Sequence, residues 1–207
     1  MLPWSEYVQI IIALIVIIDP IGAIPIFVSL TADFTEQERR HTAYVTSLSV
    51  SIILVVSCLV GAWILKLFGI NIASFRVGGG ILLLLMSIAM MHAKESAAKH
   101  TDSEDEEAHG KDHIAVVPLA IPLLAGPGAI SLAIIYAEKM GGILNKGFLL
   151  ASCIAVGLLM WGALRLALPI SRILGKTGIN IVTRIMGLIL AAIAVQFIAS
   201  GAVALLK

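Results

Sequence analysis

The stretch Ile17–Phe27 reads IIDPIGAIPIF. It lies inside a long apolar run, yet it carries a carboxylate, two prolines and a glycine. Proline removes a backbone donor and clashes with the preceding helical turn. Pro20 and Pro25, with Gly22 between them, therefore predict a helix that opens near its middle. Carbonyls and amides freed in this way cannot face lipid, where each costs several kcal/mol. They have to line protein or a wet cavity.

The surrounding chain is built for lipid. Of its 207 residues, 59% are hydrophobic and 13% charged, and mean hydropathy is +1.04. A soluble domain carries roughly 25% charged residues. The apolar runs are continuous and show no barrel-type alternation, so helices are the predicted spanning structure. At about 20 apolar residues per crossing, six spans fit: about 8–30, 41–67, 73–91, 114–137, 148–168 and 181–206. The start, MLPWSEYVQI, lacks a basic n-region, and the first run reads as a retained span with Trp4 and Tyr7 at its interface. Thr35 with Glu38 forms a capping-box pattern, which predicts that the second helix starts before its apolar part. Net charge is +1, so nucleic acid is not an expected partner; the lipid bilayer is. Arg39, Arg40, Lys94, Lys99, Lys111, Arg172 and Lys176 fall in odd loops, against Lys66, Lys139, Lys146 and Lys207 opposite. The positive-inside bias puts both termini outside the cytoplasm.

A repeat organises the chain. GINIASFRVGGGILLL begins at Gly69 and GINIVTRIMGLILAA at Gly178, a spacing of 109 at the glycine and 108 between Arg76 and Arg184. DPIGAI from Asp19 faces GPGAI from Gly126 at almost the same spacing, pairing Pro20 with Pro127. A Ser57-Cys58 match with Ser152-Cys153 has a spacing of 95; it breaks the register and reads as chance. Three spans per half make the second copy enter from the other side. The predicted fold is an all-α membrane protein of six transmembrane helices, two inverted three-helix repeats with broken first and fourth helices. It is a single membrane domain: repeat 1 about 1–93, a cytoplasmic acidic loop about 94–112, repeat 2 about 113–207. Many secondary transporters have this plan, with the site at the repeat interface; inverted repeats also build channels and scaffolds.

The expected site gathers the residues of the two breaks: Asp19, Pro20, Gly22 and Pro25 from the first, and Pro122, Gly126, Pro127, Gly128 and Ser131 from the fourth, where Pro118 adds to the disruption. Half-helix N-termini attract anionic groups and freed carbonyls attract cations. A small zwitterion such as an amino acid suits that pairing, and glycine walls favour a small solute. Asp19 is the one acidic residue placed deep in a span. It carries a coupling proton or cation, meets a substrate ammonium, or caps the half-helix that begins at Pro20. Arg76 and Arg184 either snorkel to the interface or contact a carboxylate or freed carbonyls. Asn71 and Asn180 read as helix caps, and Gln196 as a hydrogen-bonding group across helices or to solute. Cys58 and Cys153 read as small core residues, with a disulfide or a metal pair as the alternative. His92, His100, His109 and His113 sit among acids without tetrahedral ligand spacing, and that loop reads as solvated. No phosphate loop, no second membrane carboxylate for an aspartyl enzyme and no HExxH helix occurs, so neither a cofactor nor an enzymatic role is expected.

These residues resemble the MarC family, also called the small neutral amino acid transporter family of bacterial inner-membrane proteins. The likeness rests on DPIGAIPIF with SLT at Ser29–Thr31, on FRVGGGILLL from Phe75 and on PLAIPLLAGPGAI from Pro118. With the six-span layout it covers essentially the whole chain. It implies a carrier of glycine, alanine and similar solutes, with a proton or sodium ion as candidate coupling ion; a channel or permeability factor is the alternative. The long acidic, histidine-bearing loop departs from the family pattern.

Overall fold

A computed structural model describes residues 4–92, 124–140 and 142–206, and all regular structure in them is helical. The helices are α1 (Trp4–Ile18), α2 (Ile24–Leu30), α3 (Glu36–Leu67), α4 (Ile72–Met91), α5 (Pro127–Lys139), α6 (Ile143–Arg165) and α7 (Ala167–Leu205). Four of them, α3, α4, α6 and α7, are long and apolar enough to cross a membrane. Their outer faces stay apolar: Trp63 is 63% exposed and Leu188 65%. Such a surface is stable in lipid and a liability in water. The expectations for Pro118, Pro122, His100, His109, His113 and the acidic loop lie outside the described residues.

Local chemistry sets the ends. Thr35 and Glu38 form the predicted capping box, with the Thr35 hydroxyl accepting from the Glu38 N–H and the Glu38 carboxylate accepting from the Thr35 N–H at 2.8 Å. Helix α3 therefore starts at Glu36, five residues before the expected span. Its far end closes on Gly69, at φ 66°, with Gly69 N–H bonded to Lys66 O and Ile70 N–H to Leu65 O at 2.8 Å. That pair of bonds satisfies the last carbonyls and needs a left-handed residue. Asn71 then caps α4, accepting from Ala73 N–H at 2.8 Å.

The second copy of the motif behaves differently. Gly175 carries the positive φ, 60°, inside α7. Gly178, Ile179 and Asn180 are wound into the helix beyond it. Asn180 is therefore an exposed mid-helix residue and caps nothing. The extra glycine upstream took over the break, so α7 begins well before the expected Ile181.

The two halves pack mainly against each other. Helices α4 and α7 form the most extensive pair, followed by α3 with α6. Exchanging the halves leaves the pairings between them unchanged: α3 meets α5 as α6 meets α1 and α2, and α4 meets α5 as α7 meets α1 and α2. The helices that correspond in the repeat, α3 with α6 and α4 with α7, run antiparallel, as do the neighbours α1 and α5. Along α4 and α7, a Cβ on Gly201 would lie 2.8 Å from Ala73 O, one on Gly80 3.0 Å from Ala194 O, and one on Gly187 3.0 Å from Ser87 O. Along α1 and α5, Gly128 sits against Ile17, while the Lys139 ammonium pairs with Glu6 at 2.8 Å. Along α3 and α6, Gly157 sits against Ser51, and the Cys58 and Cys153 sulfurs lie 3.8 Å apart. The two cysteines are free thiols in contact.

Candidate solute site at the helix break

The first break is local in origin. Asp19 N–H still bonds to Ile15 O at 3.0 Å. Pro20 then offers Val16 no donor, and the chain turns at Asp19, at φ 47°. Aspartate is among the few non-glycine residues that tolerate this region. Asp19 O accepts from Ala23 N–H at 3.1 Å. The Gly22 N–H donates to Asp19 Oδ1 at 3.1 Å rather than continuing the α1 ladder. Helix α2 resumes at Ile24 behind Ala23, which supplies no side-chain cap, with Pro25 in its first turn. The carboxylate thus caps the turn between the half-helices.

Asp19 is buried, with 4% of its surface exposed. A Cβ on Gly22 would lie 2.0 Å from Asp19 Oδ2 and 3.0 Å from the Thr183 hydroxyl of α7. Only glycine leaves room for the carboxylate and the hydroxyl to converge there. Beside them is a cavity of about 400 Å³, bounded by the break, by Leu159, Gly162 and Ala163 of α6, and by Val182 and Met186 of α7. Asp19 is the one charged group in its lining.

The Gly126-Pro127 segment begins α5. Gly126 is buried and extended at φ −71° and ψ 179°, Pro127 holds the first helical position, and Gly126 O accepts from Ile130 N–H at 3.1 Å. Proline suits that position, since its missing N–H would have no helical partner anyway. The start of α5 lies beside the first break. A Cβ on Gly128 would lie 3.1 Å from Ile17 Cδ1, 2.7 Å from Met86 Sδ and 3.2 Å from Leu83 Cδ2. Gly128 is therefore a packing glycine between α1, α4 and α5, and it leaves no open wall. Ser131, also buried, packs on Gly79 of α4.

The remaining expected residues separate. Pro20 is buried, whereas Pro25 and Pro127 are exposed. Arg76 is half-buried on α4, one turn before Gly79 and Gly80, and its Nε is buried without a hydrogen-bond partner among the described residues. Arg184 and Gln196 point outward from α7 and do not join the Asp19 cavity. Tyr7 sits toward the opposite end of α1 from Asp19, where its hydroxyl donates to Asn145 Oδ1 at 2.6 Å and its ring packs on Phe148. Gly162 lines the cavity and Thr183 approaches Asp19 across Gly22; neither was among the expected residues. Thr183 is the Ser/Thr of the repeated motif, and Gly162 has no side-chain neighbour to explain it as packing. Both signals are readable once the fold is known.

An apolar pocket whose one charged lining group is a buried carboxylate is suited to a small group bearing positive charge. Relatives match nearly the whole length of the chain. The MarC family of integral membrane proteins aligns with residues 4–206. The UPF0056 membrane protein YhcE of Escherichia coli K12 is 42% identical over 94% of this chain and 91% of its own length. A UPF0056 membrane protein of Buchnera aphidicola from Acyrthosiphon pisum is 40% identical over 95% and 92%, and one of Methanocaldococcus jannaschii is 42% identical over 89% and 90%. No solved structure matches the chain. The chain is a multi-pass integral membrane protein and belongs to the MarC family.

Proposed function

We propose that the protein is a secondary-type transporter of small neutral amino acids of the glycine and alanine class, binding its solute between the broken helices. The observation that carries the reading is Asp19: a carboxylate buried in a helix break and lining a cavity of about 400 Å³. A charge at bilayer depth is costly and usually functional. The solute ammonium, or a coupling proton or sodium ion, is its partner in this reading. The antiparallel pairing of α3 with α6 and of α4 with α7 supports an inverted six-span repeat, the plan in which such sites form at the interface of the halves. The protein then sits in the plasma membrane, the inner membrane of a Gram-negative cell, with the α3 N-terminus in the cytoplasm and both termini outside.

The test is counterflow in proteoliposomes. Liposomes loaded with unlabelled alanine should accumulate labelled glycine or alanine transiently, with saturation. Flux that neither saturates nor responds to internal alanine would make the protein a pore, and no flux of either amino acid would remove the substrate class.

A further inference from the structure

We infer that the groove between α3 and α6 binds an anionic glycerophospholipid, with one acyl chain in an apolar trough and the phosphate at an arginine rim. The apolar trough shares no lining residue with the Asp19 cavity, and the arginine rim meets that cavity only at Leu166. Its apolar part, about 520 Å³, is lined from Tyr44 to Val56 on α3 and from Ile154 to Trp161 on α6. Twelve residues of helix rise about 18 Å. One leaflet of hydrocarbon is about 15 Å deep, so the trough matches a single acyl chain in length.

Its floor offers no polar handle. Gly157 lets the helices close up: a Cβ there would lie 1.7 Å from Ser51 Oγ and 3.2 Å from Ser47 O. The Ser47 and Ser51 hydroxyls donate to carbonyls of their own helix, at 2.7 and 3.0 Å. A polar solute would lose its hydrogen bonds to water here and regain none, which excludes an amino acid as the occupant.

The same two helix faces continue into a smaller pocket of about 260 Å³ lined by Glu36, Arg39 and Arg40 of α3 and by Arg165 of α6. Arg39 is held by the Thr31 carbonyl at 2.8 Å. Arg40 pairs with Glu36, and Arg165 lies 5.1 Å from the Trp161 ring centre. Three guanidiniums against one carboxylate leave this mouth positive, and the α3 N-terminus adds its partial positive charge. Basic pockets between membrane helices recognise anionic headgroups in this way. A second copy of the chain fits less well. Two copies facing each other across an axis along the membrane normal would set these arginine rims at equal depth, like charge against like.

The experiment uses the full chain, delipidated in detergent, titrated with dioleoyl phosphatidylglycerol, dioleoyl phosphatidylcholine or inorganic phosphate and read by thermal unfolding and native mass spectrometry. Phosphatidylglycerol should stabilise and be retained more than phosphatidylcholine, and phosphate should neither stabilise nor compete. Each arginine is expected to contribute about fivefold, so Arg40→Gln with Arg165→Gln should weaken phosphatidylglycerol roughly twenty-five-fold. If the double variant unfolds early without lipid, Arg165→Gln alone should still give the fivefold loss, since that side chain is exposed. Leu158→Trp, on the lipid side of the trough, should weaken binding by blocking the acyl chain. Equal binding of the two lipids, competition by phosphate, an unchanged Arg165→Gln, or an unchanged Leu158→Trp each overturns the assignment.

Discussion

Asp19 has a structural job and, in the proposed transporter, a second one for its charge; two substitutions tell them apart. The first is structural. Its carboxylate accepts the Gly22 N–H at 3.1 Å, and its backbone sits at φ 47°. Asp19→Asn keeps an acceptor oxygen and a side chain that tolerates the left-handed region. Its stability should stay within about 0.5 kcal/mol of wild type. Asp19→Ala loses a buried hydrogen bond, about 1 kcal/mol. It also puts a Cβ without polar compensation in the left-handed region, about 1–2 kcal/mol more. The sum is about 2–3 kcal/mol, enough to lower the unfolding midpoint visibly in detergent. The second job is the charge. In the proposed transporter, Asp19→Asn should lose most alanine counterflow despite its normal stability, and Asp19→Ala should lose both. The assay pairs thermal unfolding with proteoliposome exchange on the same preparations. If Asp19→Asn unfolds as early as Asp19→Ala, the turn-capping account is wrong. If it exchanges alanine at the wild-type rate, the carboxylate serves the turn alone.

Gly162 lines the Asp19 cavity with open space where a Cβ would go, so Gly162→Leu should block transport at near-normal stability; retained transport would place the solute elsewhere. Gly128→Leu would meet Met86, Ile17 and Leu83 instead, and is expected to reduce folded yield as well as activity. Gly187→Val should separate α4 from α7 and cost about 3 kcal/mol or more by overpacking against backbone, measured as early unfolding; a neutral result would contradict the close approach to Ser87 O. Asn71→Ala should cost about 1 kcal/mol through loss of its cap, while Asn180→Ala should be nearly silent, and equal effects would refute the asymmetry of the two motifs. Copper phenanthroline should join Cys58 and Cys153 within one chain, read as a loss of two hydrogens in the intact mass; two thiols that stay alkylatable after oxidation would contradict their contact.

Much of the fold was written locally. Pro20 and Gly22 announce the first break, Gly126-Pro127 the start of α5, and Thr35 with Glu38 the start of α3, because each acts through its own backbone neighbours. The site was less legible, since its walls come from three helices far apart in sequence. Thr183 and Gly162 are ordinary residues until α6 and α7 are folded against Asp19. Asn180 shows the opposite limit. It stands in the same four-residue motif as Asn71, yet a glycine three residues before that motif, Gly175, changed its fate. The cysteine pair follows no repeat register, so its spacing of 95 carried no information about a contact made across antiparallel helices.

The glycine contacts between α4 and α7 have a mechanical consequence. Gly201, Gly80 and Gly187 each bring one helix backbone against the other, at three levels spread along the pair. Sliding such helices would have to lift every level out of its notch at once, because packed interiors shift between discrete arrangements and do not deform smoothly. In the proposed transporter this pair is the stator, and the short segments α1, α2 and α5 are the rotor. Gating of the cavity is then a tilt of these segments against a fixed spine, with a pivot at Asp19, where the α1 ladder of hydrogen bonds ends.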